Sequence, residues 1–588
     1  MLFEEVAECY AKLESVSSRL VMIEILSELL KKSSGSEIKK LVYMTQGVLL
    51  PPFEGIEFGV AERILEEAIG IATGYSKEDV EKSYKKYGDI GEAVFSFKKV
   101  AKLKKMANKR QSVSDVYDTM YKIASTSGAG SKNLKVRFLS EILASSSPLE
   151  AKYIARYPIG QLRLGVGDST IIEALSLAFT GSRNEKETLE SAYNLCSDLG
   201  VIAEELALNG MDKIRNFQVS LFKPIRPALA ERLPTPEEII KKMNGKCAVE
   251  QKYDGFRCQI HKKGGIVKIY SRNLEETTNM FPDIQKAALN IKPEMIILEG
   301  EALAFNESTG EFLPFQETIQ RKRKHGIKEK VEEMPLHLFA FDLLYINGKS
   351  YIKEPYETRR ADLEDAIKGS KSITPTNRIV TSDPKEFEEF FESSIENGLE
   401  GIVAKDLNAP YVAGARKFSW IKMKRSYKGI LSDTVDLVIV GYFLGKGSRS
   451  EFGFGGLLCA VYNKKRDMFE TISKIGTGFT EEHMGDFKAL LDKIIVKHKP
   501  ARVDSVLKPD FWVDPRYVIE VMADEITKSP THTCGREKNE LGIDEGYALR
   551  FPRIVGDGFI RKDKNPEDAT STEEIIEIFK QQKKVGIK

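Results

Sequence analysis

The sequence predicts a multidomain chain: an all-α domain over residues 1–217, an α+β domain over 218–428 and a small C-terminal β-barrel over 429–588. Three observations predict it. Apolar residues recur at three- and four-residue spacing in the first third, a proline-dense stretch follows, and short β-like runs between glycine turns fill the rest. A length of 588 residues suits about three or four domains.

The helical reading starts at Val6, Tyr10, Leu13, Val16 and Leu20, one face of a helix, and returns in residues 114–124 and 170–179. The stretch FKPIRPALAERLPTP carries Pro224, Pro227, Pro234 and Pro236, which end helices and favour extended chain, so it reads as a linker. Residues 256–262 and 266–271 flank Lys263-Gly264-Gly265, a hairpin signal. Residues 295–305 and 336–346 are further strands, and 384–397 a helix. Beyond residue 429, the segments 437–440, 457–462, 471–475 and 517–522 alternate with glycine-rich turns. That size and strand count suit a barrel of the oligonucleotide-binding (OB) type. Residues 571–584 read as an amphipathic helix capped by Ser571 or Thr572.

Composition excludes several classes. With 41% hydrophobic and 30% charged residues the chain is not largely disordered. Lys and Arg number 89 against 87 Asp and Glu, so any basic surface comes from local segregation of charge. No apolar stretch approaches the ~18–20 residues that span a bilayer, and MLFEEVAECY is unlike a secretory signal. The six cysteines (Cys9, Cys196, Cys247, Cys258, Cys459 and Cys534) form no CxxC pair, which argues against a thiolate zinc site or a disulfide framework.

Two phosphate-binding look-alikes fail. Asn347-Gly348-Lys349-Ser350 supplies GKS, but residue 343 is Leu where a phosphate-cradling loop needs Gly, so it reads as a strand-end turn. Gly165-Val166-Gly167 is too short for a dinucleotide fingerprint.

The informative segment is EQKYDGFR, residues 250–257. Asp254-Gly255 is turn chemistry, because Gly tolerates positive φ and Asp bonds nearby amides. Lys252 is then held where a strand enters the turn, and Arg257 emerges on the next strand. Lysine attacks only as the neutral amine, so its pKa must fall from ~10.4 through burial or a nearby cation, Arg257 or a metal. Alone, such a motif more often marks a solvated lysine beside a turn.

Other segments agree with it in order and spacing: SRN at 271–273, LEGEA at 298–302, LFAFDLLY at 338–345, LEGIVAK at 399–405 and WIKMK at 420–424. Together they resemble the motifs of the covalent nucleotidyltransferases, and specifically of ATP-dependent DNA ligases. FAFDLLY and Arg561-Lys562-Asp563-Lys564 sharpen the resemblance to the DNA ligase branch. GQLRLG at 160–165 and RPALA at 226–230 extend it over nearly the whole chain, which is similar to the archaeal and eukaryotic replicative type.

The resemblance implies that Lys252 attacks the α-phosphate of ATP and keeps AMP as a phosphoramidate. Glu250, two residues earlier on the strand, would share that face of the pocket near adenine, and Phe341 would stack on the base. Glu301 and Glu400 resemble carboxylates near the ribose and a catalytic Mg²⁺ (or Mn²⁺), an ion that takes one or two carboxylates plus phosphate. Glu299, on the same side of its strand, is the rival to Glu301. Lys422 and Lys424 would face the α-phosphate while Ile421 and Met423 pack inward. Arg257, Arg272 and Arg416 offer fork geometry for phosphate and ribose oxygens, and Arg561 and Lys564 would contact the leaving pyrophosphate.

In family terms, residues 1–217 bind DNA, 218–428 form the adenylation domain and 429–588 the OB-fold domain. The expected enzyme is a monomer that seals nicks in duplex DNA, with ATP as cosubstrate, in replication, repair and recombination. It would work in the cytoplasm at the nucleoid, or in a nucleus. Residues 98–110 carry seven basic residues and no acid and could grip phosphates. Related archaeal ligases have a Gln-x-x-Phe-Phe-like sliding-clamp motif in this neighbourhood. Residues 102–110 have no aromatic pair, so the clamp is an open partner.

Two rivals stand beside this reading. An RNA ligase or capping guanylyltransferase shares Lys-x-Asp-Gly, although the long helical region and FAFDLLY argue against capping. A catalytically silent DNA-binding scaffold is at odds with intact Lys252, Arg257 and Lys422.

Overall fold

The computed structural model describes residues 1–33, 35–100, 110–306, 311–312, 334–397, 399–424, 434–445, 453–476, 479, 481–538, 542, 544–555, 560–561 and 564–584. The chain divides into two compact units. One holds residues 1–231, 239–382 and 403–421, and the other residues 232–238, 383–402 and 422–588.

In the first unit the described elements of the N-terminal region are helices, from Phe3–Glu14 to Leu199–Arg215. The expected helices at 114–124 and 170–179 are Val113–Ser125 and Asp168–Thr180. The opening stripe is shorter than its spacing suggested. Val6, Tyr10 and Leu13 are buried, but the helix stops at Glu14 and Leu20 is 52% exposed on the next one. Ser15, Ser17 and Ser18 interrupt the pattern, as serines do by competing for backbone hydrogen bonds. Arg156, fully buried, ties the bundle by pairing with Glu14 and Asp89.

The proline stretch is a linker only in its first half. Residues 223–228 are pinned to the helical region: Ser197 Oγ donates to the Pro224 carbonyl at 2.6 Å, and Arg226 Nη2 to Asp168 Oδ2 at 3.0 Å. Leu229–Arg232 is then a strand, and Pro236 opens the helix Pro236–Lys242. Proline suits that position because its missing N–H has no helical partner there.

A seven-stranded sheet carries the order Ile266–Ser271, Phe256–Lys263, Met295–Asn306, Leu336–Ile346, Lys349–Ser350, with two short strands at its flanks. The predicted hairpin turns at Gly264, φ +56°. Asn347 and Gly348, at φ 42° and 98°, make the expected strand-end turn. Side chains alternate across the sheet. Cys258, Ile260, Leu298, Ala302, Leu338 and Ala340 enter an apolar core. Arg257 and Gln259 lie on the opposite face, paired across the strands with Glu301 and Glu299. A separate antiparallel pairing sets Arg378 opposite Glu250.

In the second unit Val435–Phe443 pairs with Gly456–Asn463 and Val518–Met522, and Gly456–Asn463 with Met468–Ile475. These belong to an eight-stranded sheet, beside a three-stranded one of Glu525–Ser529, Asp544–Arg550 and Cys534–Lys538. Leu437, Ile439, Leu457, Phe487 and Ile575 share one core. The C-terminal helix is Thr572–Lys584, so Ser571 is its cap. Its hydroxyl accepts from Glu574 N at 3.3 Å while Glu574 Oε2 accepts from Ser571 N at 2.6 Å. All six cysteines are buried and unpaired with one another. Among the described residues, no helix is long and apolar enough to cross a membrane.

Candidate active site

The strand Cys247–Lys252 delivers Glu250 and Lys252 and ends where Asp254-Gly255 turns the chain into Phe256–Lys263. Gly255 is needed for a different reason than expected. Its φ is not in the left-handed region, but a Cβ there would lie 2.4 Å from the Ala302 carbonyl oxygen. That close approach lets the Gly255 N–H donate to Glu301 Oε1 at 3.2 Å.

Burial pushes the Lys252 pKa down. The charges of Glu301 and Asp254 oppose this shift, and those of Arg272 and Arg257 reinforce it. Burial likewise raises the Glu301 pKa, against the pull of Lys252, Arg257 and the Gly255 amide. The lysine is thus moved toward the neutral amine that a nucleophile requires.

Glu299 and Glu301 have different partners. Glu299 is 1% exposed and binds Arg257 Nη2 at 2.8 Å and the Tyr411 hydroxyl at 2.7 Å. Glu301 faces the turn and interacts with Lys252. Arg257 Nη1 donates to the Ala228 carbonyl at 3.0 Å, while its Nε is buried with no hydrogen-bond partner among the described residues. Phe341 is partly buried, edge-on to Trp420 at 5.9 Å, with the Arg257 guanidinium 5.2 Å from its ring. Tyr253 stacks on Phe339 at 4.2 Å. Arg272 is exposed.

Glu250 is embedded in a charge network that sequence reasoning missed. It is 2% exposed, pairs with Lys405 at 3.0 Å and Arg360 at 3.3 Å, and accepts from the Tyr356 hydroxyl. Asp342 binds Arg359 at 2.6 Å within the same buried layer. The one local signal was Lys405 itself, a charge closing the apolar run Ile402-Val403-Ala404.

In the second unit, Lys424 pairs with Glu400. Ile421 and Met423 are buried, while Lys422 and Lys424 keep partial exposure, as the alternation predicted. Gly401 follows Glu400 because a Cβ there would meet the Met423 carbonyl oxygen at 2.2 Å. Arg561 Nη1 lies 3.1 Å from Asp436 Oδ1, and Lys564 pairs with the other oxygen of the same carboxylate. Arg416 lies on the strand Arg416–Lys424. Of the basic run, Lys98 is committed to the Leu143 and Ala144 carbonyls at 2.8 and 2.9 Å, so it caps a helix end and is not a free phosphate contact. Residues 101–109, with the clamp-motif neighbourhood, lie outside the described residues.

Among the described residues no group of three His, Cys, Asp or Glu side chains could hold a metal alone. Glu301 is a hard oxygen donor kept near a positive charge. It fits an ion of the Mg²⁺ kind that completes its shell with phosphate oxygens and water.

Comparison with known proteins places the chain in a family. The family described as "DNA ligase N terminus" matches residues 2–176, "ATP dependent DNA ligase domain" residues 227–424, and "ATP dependent DNA ligase C terminal region" residues 450–564. A probable DNA ligase of Dictyoglomus turgidum is 48% identical over 99% of this chain and 98% of its own. A DNA ligase of Hyperthermus butylicus is 44% identical over 99% and 98%. The solved structure titled "Pmar-Lig_Pre." shares the fold, with TM-score 0.57 and 18% identity over 94% of this chain and 99% of that one. These matches define the class, a ligase of three successive parts. The chain belongs to the ATP-dependent DNA ligase family, enzymes that seal nicks through an adenylate intermediate. The capping and scaffold readings are thereby set aside.

Proposed function

We propose that Lys252 is the nucleophile of this ligase and that nicked duplex DNA is its substrate. The observation that carries the reading is Lys252 at the end of its strand, half-buried beside Glu301, its ammonium destabilised by desolvation and by Arg272 and Arg257. In the first step the Lys252 Nζ lone pair attacks the α-phosphorus of ATP. The P–N bond forms, the bond to the β-phosphate oxygen breaks, pyrophosphate leaves, and Nζ gives up its proton. A 5′-phosphate oxygen of the nick then takes the adenylyl group and the P–N bond breaks. Finally the 3′-hydroxyl attacks the 5′-phosphorus and AMP departs.

Glu250 and Phe341 are assigned to the adenine. Arg257, Arg272 and Arg416 are assigned to ribose and phosphate oxygens; the orphaned Arg257 Nε supports the first of these. Lys422 and Lys424 neutralise charge that develops on the α-phosphate, and Arg561 and Lys564 receive pyrophosphate once they leave Asp436. Glu301 and Glu400 are the carboxylates assigned to Mg²⁺, which when bound would supply further charge neutralisation. Residues 1–217 are the DNA grip, 218–428 the adenylation domain, and 429–588 an OB-type barrel of a monomeric enzyme. Contacts to DNA would be mostly to phosphates, since a ligase must not prefer a sequence.

The test is incubation with labelled ATP and Mg²⁺, a denaturing gel, and then a nicked DNA duplex beside a nicked RNA one. A labelled chain that seals only the DNA is expected. Absence of label overturns the assignment of Lys252, and preference for the RNA duplex overturns the substrate.

A further inference from the structure

Between the linker and Arg257 runs a closed set of hydrogen bonds whose donors and acceptors are all determined. The Phe222 N–H donates to His261 Nδ1 at 2.9 Å. Burial holds this imidazole neutral, its pKa down to about 3, so its single proton sits on Nε2 and is donated to Gln259 Oε1 at 2.9 Å. Gln259 Oε1 also accepts from the Ile225 N–H at 2.7 Å, which fixes the amide orientation. The Gln259 NH₂ group donates to the Ile225 carbonyl at 2.8 Å and to Glu299 Oε1 at 3.2 Å.

The other Glu299 oxygen receives Arg257 and the Tyr411 hydroxyl. That hydroxyl accepts from the Ala228 N–H at 2.8 Å, and the Ala228 carbonyl accepts from Arg257. The guanidinium is gripped at both Nη atoms, and Nε is its one nitrogen with no hydrogen-bond partner among the described residues.

We propose that Gln259, acting with Tyr411 through Glu299, is a positioning residue for Arg257, and that residues 222–228 are therefore a working part of the nucleotide site and not a tether. This rests on the reading of Arg257 as a nucleotide contact. A buried carboxylate keeps its place only while its donors are present. Without the Gln259 amide, Glu299 Oε1 is left under-coordinated and the pair can rotate, so Nε no longer points in one direction.

The experiment uses the full chain, measuring the single-turnover rate of adduct formation and its dependence on ATP concentration, with thermal unfolding alongside. Gln259→Met is expected to lower the rate at saturating ATP about tenfold, the scale on which supporting hydrogen bonds act. In an Arg257→Ala background the same change should cause no further fall, because it has nothing left to position. Tyr411→Phe should repeat the pattern. Equal proportional losses in both backgrounds overturn the proposal, since a structural defect multiplies regardless of Arg257. A wild-type rate for Arg257→Ala sinks the reading of Arg257 itself. A slow Arg257→Ala beside a wild-type rate for Gln259→Met sinks the positioning role alone. If Gln259→Met does not fold, Tyr411→Phe, which removes one hydroxyl, decides: a wild-type rate, or failure to fold as well, overturns the proposal.

Discussion

The Lys405 ammonium lies 3.0 Å from Glu250 Oε2, and both side chains are 2% exposed. The same Nζ donates to the Phe341 carbonyl at 2.7 Å and sits 4.4 Å from the Trp420 ring centroid. One cation thus holds the two residues assigned to the base. Lys405→Met should leave Glu250 and Asp342 short of positive charge, and breaking such a buried pair costs about 3–5 kcal/mol. Chemical denaturation should show an earlier unfolding transition, and an unchanged midpoint would contradict the network.

Lys252→Ala and Lys252→Arg should both abolish the enzyme–AMP adduct. Arginine keeps the charge but offers no neutral amine near pH 7. Labelling of either variant to the wild-type extent would remove Lys252 from the mechanism.

Adduct formation at saturating ATP should rise with pH, with a midpoint below the ~10.4 of ordinary lysine, because burial favours the neutral amine. Glu301 stabilises the ammonium, so Glu301→Gln should move that midpoint further down even as it slows the reaction. A pH–rate profile of the two proteins checks both signs. A midpoint that rises in Glu301→Gln would show that the carboxylate does not face Lys252.

Removing Lys422 or Glu400 should slow the chemical steps by about 10²–10³ while leaving duplex binding nearly intact, since both are assigned to the α-phosphate or its metal. Pre-adenylylated nicked DNA separates the last step from the first. Normal sealing together with normal adduct formation would make them structural charges.

What was legible in the sequence was local. The hairpin at Gly264 follows from Gly264-Gly265 between two β-like runs, and the strand that carries Lys252 into the Asp254-Gly255 turn follows from the segment 250–257. The missed residues depend on distant pairings. Glu250 meets Tyr356, Arg360 and Lys405 from more than a hundred positions away, and nothing in its own segment names them. Arg359 and Arg360 stand in the helix Tyr356–Ile367 among Glu357, Asp362, Glu364 and Asp365, where they look like a solvated charged face. Gly255 was read as a turn residue when the crowding comes from Ala302, forty-seven residues on. Periodicity assigns a side chain to a face but not to the atoms that cover it.

The buried cysteines have a practical consequence for watching this enzyme move. Thiolates react and thiols do not, and burial pushes the pKa of Cys9, Cys196 and Cys247 up to about 12 and those of the other three higher still. The native chain should therefore be nearly silent toward maleimide dyes at neutral pH. A cysteine placed at an exposed site such as Ile71, 57% exposed, and another at Val506, 52% exposed, would take fluorophores without first stripping out the native six. One label would then report from each compact unit, and the distance between them could be followed through adenylylation, nick capture and release in otherwise unaltered protein.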